Sequence, residues 1–311
     1  MRKSHALILL TLLPFLCLAP VAVFADQMGV FVSILPQKYF VQQIGGDLVR
    51  VEVMVPPGAD PHTYEPKPSQ MVALAKTRIY FAVGVNFEQT WLQKFSATNP
   101  AMQIVHTDAG IEKIPMLAHS HDAEDEPTPA ARGNHPALGP PPAEHDHDHG
   151  AMDPHIWLSP PLVKIQAKHI RDALVQADPG NAATYQANFE RFSSELDALD
   201  AELKAAFAGK EGLEFIVFHP AWGYFAQAYG LQQTPIELEG KEPKPAQLKE
   251  IIKHAREHHI QVIFAQPQRS SRSAETIARA IGGKVVFADP LALDWAANLR
   301  RQAASLVEIG K

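Results

Sequence analysis

Short β-rich runs alternate with helix-spaced stretches along most of this 311-residue chain. Val30 to Ile34, Val49 to Val55, Ile79 to Val83 and Gln103 to His106 are compact runs rich in branched and aromatic side chains, which predicts strands. Between them, Gln37 to Ile44, Ser69 to Ala75 and Glu88 to Phe95 carry the periodicity of helices. The rhythm returns later, with strands predicted at Phe215 to Phe218, Val262 to Ala265 and Val285 to Ala288. Helices are predicted near Ala221 to Tyr229, Pro245 to His258, Ser273 to Ile281 and Ala292 to Leu306. Strand, helix, strand in this order implies an α/β fold with parallel sheets and helices on their faces.

Two segments break the rhythm. Residues 118–150 are rich in Pro, Ala, His and acids and nearly devoid of bulky apolar side chains, so they lack the surface to build a core and are expected to form a mobile loop. After Asp178-Pro179-Gly180, the residues Tyr185, Phe189, Phe192, Leu196, Leu199, Leu203 and Phe207 recur at spacings of three and four. That stripe predicts a helix of about seven turns up to Ala208, a stiff connector between two α/β units.

The start of the chain changes the picture of where it works. Arg2 and Lys3 precede an apolar run broken by Pro14 and Pro20 and ending in Val23-Phe24-Ala25, which reads as a secretory signal cleaved after Ala25. Cys17 is the chain's one cysteine, and Pro14-Phe15-Leu16 lacks the small residue that a lipid-attachment site needs before it. The mature chain of about 286 residues would then have neither a disulfide nor a thiolate metal site. Loss of Arg2 and Lys3 takes the net charge from −6 to about −8, which argues against nucleic acid as a partner. No later run approaches the ~18 apolar residues of a membrane span. The resulting division is a signal peptide at 1–25, an N-terminal lobe at 26–177 containing the loop, a connecting helix at 178–209 and a C-terminal lobe at 210–311.

Three histidines stand in similar settings. His62 follows Pro56-Pro57-Gly58-Ala59-Asp60-Pro61 after a strand, His155 lies in Asp153-Pro154-His155-Ile156-Trp157-Leu158, and His219 ends the strand Phe215 to Phe218. Asp289 ends the strand Val285 to Ala288 in the matching way. In open α/β sheets, ligands bind outside the carboxyl ends of the strands. Three imidazoles and a carboxylate form the four-coordinate donor set zinc prefers, leaving a formal charge of +1. Taken singly, each histidine is more ordinary as a surface residue or a hydrogen-bonded cap, and Asp-Pro is common turn chemistry.

The surrounding words carry more. Pro61-His62-Thr63-Tyr64-Glu65-Pro66, Asp153-Pro154-His155-Ile156-Trp157-Leu158, Phe218-His219-Pro220-Ala221-Trp222-Gly223-Tyr224-Phe225 and Ala288-Asp289-Pro290-Leu291 together resemble the ZnuA-type, cluster A-I metal-binding proteins of ABC transporters. The Asp178-Pro179-Gly180-Asn181 entry and the Glu239-Gly240-Lys241-Glu242-Pro243 loop look similar to their family counterparts, and the likeness extends over essentially the whole mature chain. The resemblance implies two α/β lobes bridged by one long rigid helix, with the metal between them. It also implies a monomeric periplasmic carrier that delivers Zn²⁺ to an ABC permease and its ATPase subunit, with His62, His155 and His219 as ligands, Asp289, a nearby carboxylate or water as the fourth, and no organic cofactor. His219 points to the zinc branch of the family, since the manganese branch often has a carboxylate there. In such a carrier, affinity is expected to fall as pH drops through the histidine range near ~6.5.

Within residues 118–150, His119, His121, His135, His145, His147 and His149 alternate with acids, a composition expected to gather zinc weakly because a flexible loop must be ordered on binding. His254 and His258 have the i, i+4 spacing able to hold zinc, but with no Glu beside the first they read as a solvated helix face. Trp157 and Trp222 are expected to wall the site. The rival readings are a manganese or iron carrier, a surface adhesin, and a secreted zinc hydrolase with Glu65 as its general base.

Overall fold

The computed structural model describes residues 27–116, 152–237 and 240–309. The predicted signal peptide, the histidine-rich segment 118–150 and Glu239 lie outside these residues. In chain order the first lobe contains β1 (Met28–Val32), α1 (Leu35–Gly45), β2 (Val49–Val53), α2 (Pro68–Leu74), β3 (Ile79–Ala82), α3 (Asn86–Thr98) and β4 (Gln103–His106). Next come α4 (Pro160–Ala177) and α5 (Ala182–Phe207). The second lobe contains β5 (Glu214–Val217), α6 (Gly223–Ala228), β6 (Gln232–Pro235), α7 (Pro245–Glu257), β7 (Val262–Ala265), α8 (Arg272–Ile281) and β8 (Lys284–Phe287), and α9 (Trp295–Ile309) follows.

Both sheets are wholly parallel and share one topology, β2-β1-β3-β4 and β6-β5-β7-β8. The central strands β3 and β7, Ile-Tyr-Phe-Ala and Val-Ile-Phe-Ala, are buried along their length, as expected of strands covered on both faces. The strand order reverses between β1 and β3 in the first sheet and between β5 and β7 in the second, the place where loops diverge at the carboxyl ends and leave a crevice.

The predicted greasy stripe lies along α5. Tyr185, Phe192, Leu196, Leu199, Leu203 and Phe207 are buried, while Phe189 is half-buried under the Arg171 guanidinium, 4.6 Å from the ring centre. Burial of each such leucine contributes about 2 kcal/mol at most, so packing and not intrinsic propensity holds the helix straight. The 26-residue helix spans roughly 39 Å. It packs on α4, α1 and α9. Trp295 at the start of α9 reaches Phe40 of α1 edge to face at 5.1 Å, so the last helix returns to the first lobe.

One apolar core runs from the first sheet through α4, α5 and α9 to Phe215, Val217, Val262 and Phe264 of the second. The alternate residues Ile216 and Ile263 point the other way, into a smaller core with Ile251 of α7 and Ile277 of α8.

Two elements were not expected. In α4 the pair Pro160-Pro161 occupies the first turn, where a missing N–H costs nothing, and the buried positions Val163, Gln166, Ala167, Ile170, Ala173 and Leu174 keep helical spacing with small and polar members. β6 reads Gln-Gln-Thr-Pro, which no hydrophobic pattern marks as a strand, and pairing with β5 alone defines it.

Candidate metal centre between the lobes

His62 and His155 are presented by the same local device. In Asp60-Pro61-His62, the Asp60 Oδ1 accepts the His62 N–H at 2.9 Å, and in Asp153-Pro154-His155, the Asp153 Oδ1 accepts the His155 N–H at 2.8 Å. Proline fixes the middle residue and the aspartate closes the turn, so the histidine leaves it in a set direction. The first turn is reached through Gly58, whose φ of 79° suits glycine. His219 arrives differently, immediately after β5, with Phe218 still bonded to Phe264.

The three rings converge. Their centres are 4.7 Å (His62 to His219), 5.0 Å (His155 to His219) and 5.5 Å (His62 to His155) apart, and one nitrogen from each lies within 4.8 Å of the other two. Every Nδ1 is already engaged: by Asn86 Oδ1 for His62 at 2.9 Å, by Asp153 Oδ1 for His155 at 2.6 Å, and by Glu237 Oε1 for His219. A carboxylate or carbonyl on Nδ1 keeps the proton there and leaves the lone pair on Nε2. The His62 Nε2 is buried without a hydrogen-bond partner, and the Nε2 atoms of His155 and His219 face each other at 3.3 Å. With their protons held on Nδ1, two opposed lone pairs repel, and a cation between them removes that repulsion. Zn–N bonds of about 2.0–2.1 Å place tetrahedral donors ~3.3 Å apart, the spacing of this pair.

Burial lowers the proton affinity of all three imidazoles below the ordinary histidine value, His155 well below it. For His62 the neighbouring His219 adds to the effect, and for His219 the bond to Glu237 opposes it. Neutral imidazoles are the form that binds a metal.

Glu237 was not foreseen from the sequence. β5 and β6 pair with Val217 opposite Pro235, and the ladder continues through Glu237 N–H to Phe218 carbonyl, which sets Glu237 beside His219. Arg269, in the loop after β7, lies 2.7 Å from Asp60 Oδ2 and 3.4 Å from Glu237 Oε2. One guanidinium thus ties the carboxylate behind His62 in the first lobe to the carboxylate behind His219 in the second.

The structure does not bring Asp289 to the histidines. Its Oδ1 accepts from Gln268 Nε2 at 2.7 Å and from the Leu291 N–H at 2.9 Å, and it lines a neighbouring cavity with Ile34, Pro56 and Pro57. Asp289-Pro290-Leu291 is the same turn as the two Asp-Pro-His turns with leucine in the histidine's place, and Leu291 is the residue that lines the histidine cavity. Asp289 thus closes a turn here and stands outside the cluster of three imidazoles. Trp157 does wall the site, 5.0 Å from the His155 ring with its indole N–H on the Pro290 carbonyl. Trp222 instead packs into the second lobe against Phe225 and Phe264. Glu65 is exposed and does not line the cavity. The cavity among these residues holds about 20 Å³, enough for a water or an ion.

Among the described residues, no helix is long and apolar enough to cross a membrane. A deletion mutant of a ZnuA, solved with zinc bound, is 41% identical in sequence, with a TM-score of 0.79 over 92% of this chain and 99% of that one. The crystal structure titled as that of ZnuA has the same identity and TM-score, covering 92% of this chain and all of its own. The high-affinity zinc uptake system protein ZnuA of Bacillus subtilis (strain 168) is 31% identical over 264 residues, 83% of this chain and 77% of that protein. The sequence profile of the family described as zinc-uptake complex component A, periplasmic, matches residues 30–309, and the chain belongs to this ZnuA family.

Proposed function

We propose that this chain is the periplasmic zinc-capturing component of an ABC importer, holding Zn²⁺ on the Nε2 atoms of His62, His155 and His219. The observation that carries this reading is the convergence of three imidazoles whose Nδ1 atoms are each already committed, which leaves three lone pairs aimed at one small space. Solvent supplies the fourth position, since among the described residues no carboxylate joins the three nitrogens within the cluster. The buried carboxylates behind His155 and His219 offset the charge of the ion without touching it. Nitrogen donors alone favour zinc over manganese, which is usually given oxygen ligands.

Membership of the family supports delivery to a permease powered by its ATPase subunit. The shared core and the two helices α5 and α9 resist wide opening of the lobes, so release proceeds through small rotations that part Arg269 from Asp60. In this reading the chain is exported, works as a monomer and catalyses nothing. The hydrolase alternative has less support, because Glu65, its candidate general base, is exposed and does not line the cavity.

The test is competition calorimetry of Zn²⁺ and Mn²⁺ against a chelator of known strength, with the exported protein and with His155→Ala. One tightly held zinc ion that is lost in the variant is the expected result. Tighter manganese binding, or a tight ion indifferent to His155, would overturn the assignment.

A further inference from the structure

The second lobe carries another convergence of metal-binding groups at its far end. Glu214 is the first residue of β5, and His219 lies just past the last, so the two are roughly 16 Å apart along an extended chain. α7 runs back against the sheet and brings its carboxyl end to the amino ends of the strands. There His254 in its last turn and His258 at its cap face Glu214. Glu214 Oε1 lies 2.7 Å from His254 Nε2, Glu214 Oε2 lies 3.1 Å from His258 Nδ1, and the two rings stack with centres 4.1 Å apart. One donor atom from each of the three residues lies within 4.8 Å of the others. The spacing i, i+4 set both imidazoles on one helix face, as the sequence indicated. The pattern along the chain did not disclose the carboxylate, forty residues earlier, that turns a solvated face into a three-donor set.

The surroundings suit a cation. Glu214 is a largely buried anchor, its side chain 10% exposed, whereas His254 and His258 are 36% and 52% exposed and open to an incoming ion. The negative end of the α7 dipole points at the same place. The turn that ends α7 adds a third imidazole. His259 takes a left-handed φ of 55°, with the Ile260 N–H on the Ala255 carbonyl and the His259 N–H on the Arg256 carbonyl. At the end of α8 the corresponding position is Gly282, for which that conformation is unstrained. α7 places histidine there, and His259 lines a surface recess of about 480 Å³ together with Glu214 and His258.

We infer that Glu214, His254 and His258 form a second metal site for a zinc-class divalent ion (zinc, cobalt or nickel), separate from the cluster between the lobes. A bound ion takes from each imidazole the nitrogen that now faces Glu214, with the ring proton carried on the other nitrogen. Two nitrogens and one carboxylate oxygen hold the ion, and solvent from the recess fills the remaining positions. Three donors, two of them half-exposed and all presently satisfied by one another, make this site weaker than the one between the lobes. An ion here would fasten α7 to β5.

The site is tested by equilibrium dialysis of the full exported protein against Co²⁺, beside His254→Gln/His258→Gln and the milder His258→Gln. Both variants should bind one ion fewer, while the single ion that resists a strong chelator stays in place. Anomalous scattering at the cobalt edge should show a peak between Glu214, His254 and His258. Equal cobalt uptake by the three proteins, or cobalt found only at other positions, would overturn the inference. The chelator-resistant ion reports separately on His62, His155 and His219, so failure of one site is distinguishable from failure of the other.

Discussion

The two histidine clusters use the same side chains to opposite effect. Between the lobes, Asn86, Asp153 and Glu237 each take one Nδ1, so three Nε2 lone pairs are left unengaged and aimed together. At the far end of the second lobe, two imidazoles point their nitrogens at the one carboxylate of Glu214 and quiet each other. The first arrangement stores unmet demand for a cation in a buried place, and the second satisfies itself and waits in the open. What separates a tight site from a weak one here is where the other ring nitrogen is held, not how many histidines meet.

The comparison breaks most sharply at a donor. His155→Ala is expected to weaken zinc binding by well over ~100-fold, beyond the ~10–100-fold typical of changes to the groups behind a ligand, as read by chelator competition. Next in size come Asp153→Asn and Glu237→Gln, which leave three imidazoles but loosen the tautomer of one. A loss of ~10–100-fold is expected for each, and a loss below threefold for both would mean that the carboxylates merely fill space.

A carboxylate that serves no histidine sharpens the point. Glu88 is buried against Ser33, the N–H groups of Val83 and Gly84, and Tyr80, with Asp108 nearby. Burial raises it to about 7 despite those hydrogen bonds, with a small further rise from Asp108. The folded protein therefore holds this proton more tightly than the unfolded chain does. The stability linked to it is fully present below about 4.5 and is lost as pH rises through about 7. Unfolding measured from pH 5 to pH 7.5 should lose on the order of 2 kcal/mol through this group, a slope that Glu88→Gln removes. The smallest effect is expected at the mouth. Arg269→Ala breaks a part-buried pair with Asp60 worth about 1 kcal/mol, so zinc should dissociate roughly fivefold faster in stopped-flow chelation, with little change in folding.

The strands that lead to His62 and His219, and the stripe along α5, were legible because each is written in a few adjacent residues or one helical period. The partners of the histidines were not. Glu237 reaches His219 only through the register of β6, whose Gln-Gln-Thr-Pro sequence carries no strand pattern, and Arg269 reaches Asp60 across the two lobes. Asp153 was within reach of the sequence, because Asp-Pro-His occurs twice and the i to i+2 hydrogen bond is local. The same signal would have marked Asp289-Pro290-Leu291 as a third turn of this kind.

Those Asp-Pro turns also bear on timing. Because folding has already fixed the backbone entry of His62 and His155, an arriving ion meets donors that have no conformational search left to make. Its capture is then paced by collision and by the shedding of its own water. When zinc is scarce, throughput depends on how often ions reach the mouth.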